Sequence, residues 1–372
     1  MRGTDLKNDW DSFEELHVAV EQLELCQRLL RSRSHSKARA AVILLDHVAD
    51  ALMYRVCSYD FGHEEFLEMV IPPVVPKEKR EKILYRFEKK LSYTAQIKKL
   101  ISADASTVLT IAHRVRNFAY HRNYHNPSTI GIVGRILFKT VCGILPNFLK
   151  HGDRSYSSRM SQQTWIRKYG VTPSYSNFDE VLETVAEHLA NRIELTIRGA
   201  AKIMKSDLSA RFRRMQRTLK RWLSLKTDRQ INEMLRRYEF ADVYKDDLYD
   251  LLAPLKKARY VVHDLHKGVP PEDWIKMPIP PETRRAVRRG MIIEERAFKN
   301  KRRRLFKSFR QTVTASSLRA VGKDIRSLPR ATSLGQLLSK YDSIERRLTQ
   351  AESYASRAEA DLDFAIDLAR GK

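Results

Sequence analysis

The sequence has few cysteines, and their placement argues against a disulfide framework. Only three occur in 372 residues, Cys26, Cys57 and Cys142. They are odd in number, widely separated and embedded in apolar helical patterns, which also argues against a zinc site. Glycine is sparse as well, and no phosphate-binding loop or dinucleotide fingerprint is present. We therefore expect no metal, no cofactor and no nucleotide hydrolysis.

From its composition, we also expect the sequence to contain no apolar run as long as a transmembrane helix. No stretch approaches the length of a transmembrane span, and the first 15 residues lack the apolar core of a signal peptide. Together with the unpaired cysteines, this predicts a cytoplasmic protein that makes no membrane contact.

Acidic residues are too few to balance the basic ones. The chain has 69 Lys and Arg against 45 Asp and Glu, a net charge of +24. The excess is concentrated late, with 29 basic and 23 acidic residues in 1–200 but 40 and 22 in 201–372. Such a charge favours a polyanionic partner through release of counterions, and nucleic acid is the first candidate. An anionic membrane surface is the weaker alternative.

The hydrophobic periodicity is helical throughout, and no strand pattern rises above noise. We predict an all-α fold with a helical domain in 1–204 and a basic helical domain in 205–372. Asp104 is the predicted N-cap of the helix that carries the motif described below, and Thr227 with Gln230 forms a predicted capping box. The predicted helices include residues 36–59, 77–100, 104–120, 128–149, 178–204 and 333–370.

The basic half contains two segments with distinct patterns. A loop rich in proline is predicted at 268–283, because proline interrupts helices. The heptad helix at 333–370 has an alanine-rich seam, which permits close approach to another part of the chain or to a second copy.

The most informative motif is the six-residue sequence RNFAYH, from Arg116 to His121. The guanidinium is a permanent cation whose planar fork of donors suits a phosphate. The imidazole can exchange a proton near neutral pH. Arginine, a polar neighbour and histidine together form a set that can cleave RNA.

The helical register leaves the pairing within this motif open. On a continuous helix Arg114, Asn117 and His121 share one stripe, whereas Arg116 lies about 140° from His121. For Arg116 to meet His121, the helix must end or distort around Tyr120, or the partner must come from another subunit. The sequence is compatible with each of these geometries.

The arginine, the polar residue after it and the histidine resemble the motif of HEPN-domain ribonucleases. The apolar helix with LLDHVADAL at 44–52 is similar to the second helix of that family, and the resemblance covers about residues 10–200. Asp46, His47 and Asp50 on this helix are either supporting polar groups for the motif or partners for one another at a helix interface. The resemblance implies a HEPN-like bundle that forms a homodimer.

The resemblance also implies an activity and roles for the motif residues. The chain would be a metal-independent endoribonuclease, acting as a toxin or antiviral defence effector, with an antitoxin or regulatory protein as a further partner. His121 would take the 2′-OH proton or protonate the leaving 5′-oxygen, Arg116 would hold the scissile phosphate, and Asn117 would orient one of them. Arg114, which is not followed by a polar residue, would be a helper that binds phosphate.

Further residues are candidates for binding nucleic acid. Tyr120, Arg122 and Tyr124 flank the motif, and they either contact RNA or pack at the helix end. Basic clusters alternate with aromatic residues in the second half, where the phenylalanines also suit anchoring to the domain's own core. These clusters contain Arg284, Arg285, Arg288, Arg289, Arg302, Arg303 and Arg304, and a second basic stripe contains Arg211, Arg213, Arg214, Arg217, Lys220 and Arg221.

Two other classes of function fit the same residues. One is a non-catalytic helical scaffold that binds nucleic acid, in which RNFAYH is an ordinary helix end. The other is a partner-binding protein whose basic half recognises an acidic protein. Cleavage of RNA by the purified chain separates the enzyme from both.

Overall fold

The computed structural model confirms the all-α prediction, with no strand among the residues it describes. The chain forms two compact units, of which unit 1 contains 1–210 and 324–345, and unit 2 contains 211–323 and 346–372. Unit 1 therefore includes a segment from the C-terminal half. The described residues are 12–32, 34–67, 72–122, 127–152, 164–172, 174, 177–225, 227–244, 300, 302–306 and 309–369.

Unit 1 is a bundle of helices around two long apolar ones. The first eight α-helices among the described residues are α1 Ser12–Arg31, α2 His35–Leu67, α3 Lys77–Tyr85, α4 Phe87–Ser92, α5 Ala103–Arg122, α6 Pro127–Leu149, α7 Phe178–Asn191 and α8 Ile197–Arg217. A π-helical turn, Tyr93–Ile97, follows α4, and a 3₁₀ turn, Thr164–Tyr169, precedes α7.

The core of unit 1 lies where α2, α5, α6 and α7 pack together. Helix α6 is apolar over most of its surface, and Phe138, Leu145 and Phe148 are fully buried. By length and composition alone, its segment Thr129–Leu149 is long and apolar enough to cross a membrane. The prediction that no stretch approaches the length of a transmembrane span is therefore wrong. About two thirds of that window (67%) is buried inside the protein, as in a core helix of the bundle.

The three cysteines belong to this core. Cys26, Cys57 and Cys142 are free thiols and are buried. Burial raises the pKa of Cys26 and of Cys57 to about 12, and it also raises the pKa of Cys142. The thiols therefore remain protonated near neutral pH and act as small apolar side chains.

Several helix boundaries differ from the prediction. Helix α2 continues past residue 59 to Leu67, because Asp60 and Phe61 extend its buried face. The predicted helix 77–100 is broken at Arg86, whose backbone is extended. The predicted helix 178–204 is two helices, since the chain leaves the helix after Asn191 and Thr196 restarts it. The Thr196 hydroxyl accepts a hydrogen bond from the Gly199 amide at 3.0 Å.

The predicted cap of α5 is also wrong. Ser102 takes that role, because its Oγ accepts a hydrogen bond from the Ala105 amide at 3.2 Å. The Asp104 carboxylate instead accepts from the Ser333 hydroxyl and from the Gly335 amide, the latter at 3.1 Å. It therefore satisfies donors at the start of the helix Leu334–Ala369. Gly335 lies 231 positions after Asp104 in the sequence.

Gly335→Ala is expected to destabilise unit 1. A Cβ at this position would lie 2.8 Å from the backbone oxygen of Asp104, which cannot rotate away. We expect the free energy of unfolding in urea to fall by about 1–3 kcal/mol, as in other overpacked sites. Gly143→Ala is the matched control, because a Cβ there meets nothing within 4 Å. It should be neutral or stabilise the protein by about 0.5–1 kcal/mol through helix propensity. Equal effects of the two changes would contradict the crowding at Gly335.

Unit 2 is built from the end of α8, a π-helical turn, Thr218–Trp222, and α9, Asp228–Val243. Thr227 and Gln230 form the predicted capping box at the start of α9. The buried Glu239 accepts hydrogen bonds from the amides of Thr312 and Val313 at 3.0 and 3.1 Å. This carboxylate fixes the segment that precedes the next helix. That helix is α10, Ala315–Ser327, and the last is α11, Leu334–Ala369.

The heptad seam predicted in the last helix is buried over most of its length. Tyr341, Ile344, Leu348, Ala351, Ala355 and Ala358 are each less than 8% exposed. The seam is therefore covered by the chain itself up to Ala358. Beyond it, Leu362 is exposed.

Candidate nucleic-acid cleavage site

The motif RNFAYH lies at the C-terminal end of α5, which is helical through His121 and Arg122. The helix thus ends two residues later than predicted and does not break at Tyr120. An uninterrupted helix separates Arg116 from His121 by about 140°. Of the geometries that the sequence left open, two remain: His121 on the stripe of Arg114, or Arg116 and His121 meeting across two copies.

Arg116 is held by two neighbours and is partly open to solvent. Its Nε donates to Oδ2 of Asp46 at 3.0 Å, and its Nη1 donates to Oδ1 of Asn117 at 2.8 Å. The Arg116 side chain is 36% exposed, whereas that of Asp46 is 2% exposed. Among the residues that the structure describes, Nη2 has no hydrogen-bond partner. The guanidinium is therefore fixed on one edge, and as far as the described residues go its other edge can bind an anion.

Asp46 lies on the buried face of α2 and acts on two residues of α5. It accepts from Arg116 with Oδ2, and both of its oxygens lie 3.0–3.1 Å from Nδ1 of His113. A buried carboxylate needs such partners, because desolvation of an unpaired charge is costly. Asp46 therefore contacts a residue of the motif through a bond that also joins α2 to α5, and its supporting role stays a prediction. Asp50 instead pairs with the buried Lys90, at 2.8 Å.

His113 is a residue of this cluster that the sequence analysis did not identify. It precedes Arg116 by three positions, so the two side chains share one face of α5. Its ring stacks on Phe87 with centroids 3.8 Å apart and an interplanar angle of 6°. The side chain is only 16% exposed. The spacing H-x-x-R in the sequence was the available signal, but it carried no information about Asp46 or Phe87.

Arg114 has a different environment. Its Nη1 donates to both carboxylate oxygens of Asp342, at 2.8 and 2.7 Å. Asp342 is buried, and both residues belong to unit 1. The charge of Arg114 is therefore matched by a carboxylate in this structure, and its help in binding phosphate stays a prediction.

Several predicted residues have no described side chain. Tyr120, His121 and Arg122 lie within α5, but the described side chains of that helix end at Asn117. Outside the described residues lie Tyr124, Arg284, Arg285, Arg288, Arg289 and the proline-rich segment 268–283.

The basic cluster at 302–304 is described and is helical. Arg302, Arg303 and Arg304 are exposed. Phe306 next to them packs on Phe240 with ring centroids 5.1 Å apart. Phe309 lies 5.7 Å from the same ring. The phenylalanines thus anchor this segment to the core of unit 2, and the arginines stand at its surface.

The chain matches no protein-family model, no curated protein and no solved structure. In the described part of the chain, no group of three or more His, Cys, Asp and Glu side chains could hold a metal ion. The inference of function therefore depends on the residues themselves.

Proposed function

We propose that this chain is an endoribonuclease of the HEPN type that cleaves RNA by attack of the 2′-oxygen on the adjacent phosphate. The observation that carries the proposal is the environment of Arg116. Its guanidinium is anchored to a buried carboxylate on one side, and Nη2 is left without a partner among the described residues. A cation fixed in this way stabilises charge that develops on a phosphate without further reorganisation.

Each motif residue has one role in the proposed reaction. Arg116 binds the scissile phosphate, and Asn117 holds the guanidinium through the hydrogen bond to Nη1. His121 exchanges the proton, either taking it from the 2′-OH or giving it to the leaving 5′-oxygen. The bond from phosphorus to the 2′-oxygen forms while the bond to the 5′-oxygen breaks. The products are a 2′,3′-cyclic phosphate and a 5′-hydroxyl.

The helical register favours a homodimer as the active species. Since α5 is continuous past His121, one copy does not place Arg116 and His121 on the same face of the helix. Two copies with their α5 ends together bring Arg116 of one to His121 of the other. The proposed setting is a toxin or antiviral defence effector in the cytoplasm, with an antitoxin-like protein as its inhibitor.

A nucleic-acid-binding scaffold is the second candidate function. It is favoured by the exposed arginines at 302–304 and by the net charge of +24, neither of which requires catalysis. In this alternative the contacts of Arg116 with Asp46 serve only to join α5 to α2.

The decisive experiment is an assay of the purified full chain on a mixed-sequence RNA with EDTA present. We expect cleavage that needs no divalent metal, with products that end in a 2′,3′-cyclic phosphate and a 5′-hydroxyl. The matched control is the same RNA with 2′-O-methyl groups, which has no nucleophile and should stay intact. Strong RNA binding without any cleavage would support the scaffold, and cleavage of the methylated strand would contradict the proposed chemistry.

A further inference from the structure

A basic groove lies in unit 2, at the end of α8 and in the π-helical turn that follows. It is about 530 Å³ in volume and is lined by Arg213, Gln216, Arg217 and Lys220. These positions follow the spacing i, i+3, i+4 and i+7, which places them on one helix face. All four side chains are exposed. The groove thus concentrates three positive charges and one amide on a single surface.

The cations of the groove differ from their neighbour Arg211. Arg211 lies two residues earlier and donates to Glu352 at 2.7 Å and to Thr349 at 2.7 Å. A carboxylate of unit 2 therefore balances its charge. No described residue forms an ion pair or a hydrogen bond with the side chains of Arg213, Arg217 or Lys220. Among the described residues, nothing balances their charge, which suits an anionic partner.

The helix face opposite the groove is buried. Met215 and Leu219, on the opposite side of the helix, are buried and are each 3% exposed. The helix widens to a π-helical turn at Thr218–Trp222, and such turns are frequent at functional sites. The cations are therefore presented on a packed helix rather than on a loop.

We propose that this groove binds the phosphodiester backbone of a nucleic-acid strand. From Arg213 to Lys220 the helix rises by about 10 Å, at about 1.5 Å per residue. The three cations are therefore spread over a length that can span neighbouring phosphates of one strand. Each arginine presents a planar fork that suits phosphate oxygens, and the Gln216 amide can donate to a phosphate or a sugar.

The surface around the groove favours a nucleic-acid strand over a membrane. Peripheral membrane helices place apolar side chains beside their cations, and these side chains enter the lipid. Among the described residues from 211 to 220, no large apolar side chain is exposed.

This site is separate from the cleavage motif, which lies in unit 1. The groove binds a phosphate backbone whether or not Arg116 and His121 cleave RNA. The test therefore measures binding alone and uses a strand that the proposed reaction cannot cut.

The test is fluorescence anisotropy of a labelled 2′-O-methyl RNA 20-mer with the full chain, measured at several salt concentrations. The variant R213A/R217A/K220A should bind at least about tenfold more weakly at physiological salt. For three lost contacts, the slope of log K against log salt should become smaller by about 2, at about 0.7 per phosphate. Because the replaced side chains are exposed, circular dichroism should show an unchanged helical content.

The matched control is R229A/R237A/K323A, which removes the same residue types from exposed positions of unit 2 outside the groove. It should change the affinity and the slope much less. An equal loss in both triple variants, or native affinity of R213A/R217A/K220A, would overturn the proposal. So would phosphatidylserine vesicles that bind the native chain more tightly than the strand does and lose that binding in R213A/R217A/K220A.

Discussion

Replacement of His121 by alanine should abolish RNA cleavage and leave RNA binding nearly unchanged. A positioned general acid or base contributes about 10²–10⁴ in rate, so the loss should be at least of that order. Arg116→Ala should have a similar effect, because removal of one group that stabilises a developing charge costs about 10²–10³ in kcat. Single-turnover cleavage of a labelled RNA measures both effects, and anisotropy measures binding.

His63→Ala is the control for these variants. His63 is an exposed histidine on α2, in unit 1 but outside the motif, and its replacement should leave cleavage unchanged. Full activity of His121→Ala would exclude the assigned role. A mixture of the Arg116→Ala and His121→Ala chains tests the dimer. If the two residues meet across copies, the mixed dimer contains one intact site and recovers activity that neither variant has alone.

Asp46→Ala should lower both stability and cleavage. The change leaves His113 and Arg116 without their shared carboxylate in a buried position. Removal of one partner from a buried ion pair costs about 3–5 kcal/mol, and the partial exposure of Arg116 reduces this to about 2–4 kcal/mol. Urea unfolding of the native chain and of Asp46→Ala measures this loss in the free energy of unfolding. Asp228→Ala, which removes a surface partner of Arg319, should cost less than about 1 kcal/mol.

The catalytic part of this effect requires a variant that keeps its fold. Asp46→Asn retains the shape of the side chain but not its charge, and it should cleave about tenfold or more slowly because Arg116 is no longer fixed. In an Arg116→Ala background the same change should have no further effect on cleavage, since the two act as a unit. Additive losses would show that Asp46 acts on cleavage independently of Arg116 and would contradict this role.

The helical class was predictable because a periodicity of 3.6 depends only on neighbouring residues. Boundaries failed where a contact from a distant part of the chain decided them. Asp104 is of a residue type that often caps a helix and lies at the start of α5, yet its carboxylate accepts a hydrogen bond from the amide of Gly335. The break at Arg86 had no local signal, since neither glycine nor proline marks it.

The candidate site, like the helices, was predictable where it depends on neighbouring residues and not where it depends on distant ones. The residues Arg116 and Asn117 were visible as neighbours in one motif, and their hydrogen bond follows from that adjacency. Asp46 lay among several polar residues of an apolar helix, and only tertiary packing selected it over Asp50. His113 was missed because its partners, Asp46 and Phe87, come from two other helices.

The composition of unit 1 has a consequence for synthesis of the protein. The segment 324–345, which supplies the partners of Arg114 and Asp104, is translated after residues 211–323 of unit 2. Translation adds about 5–20 residues per second, and earlier parts of a chain fold first. The helix that carries RNFAYH therefore lacks these partners until residues 211–323 of unit 2 have been synthesised. Unit 1 can thus complete its fold only after residues 211–323 of unit 2 have been made.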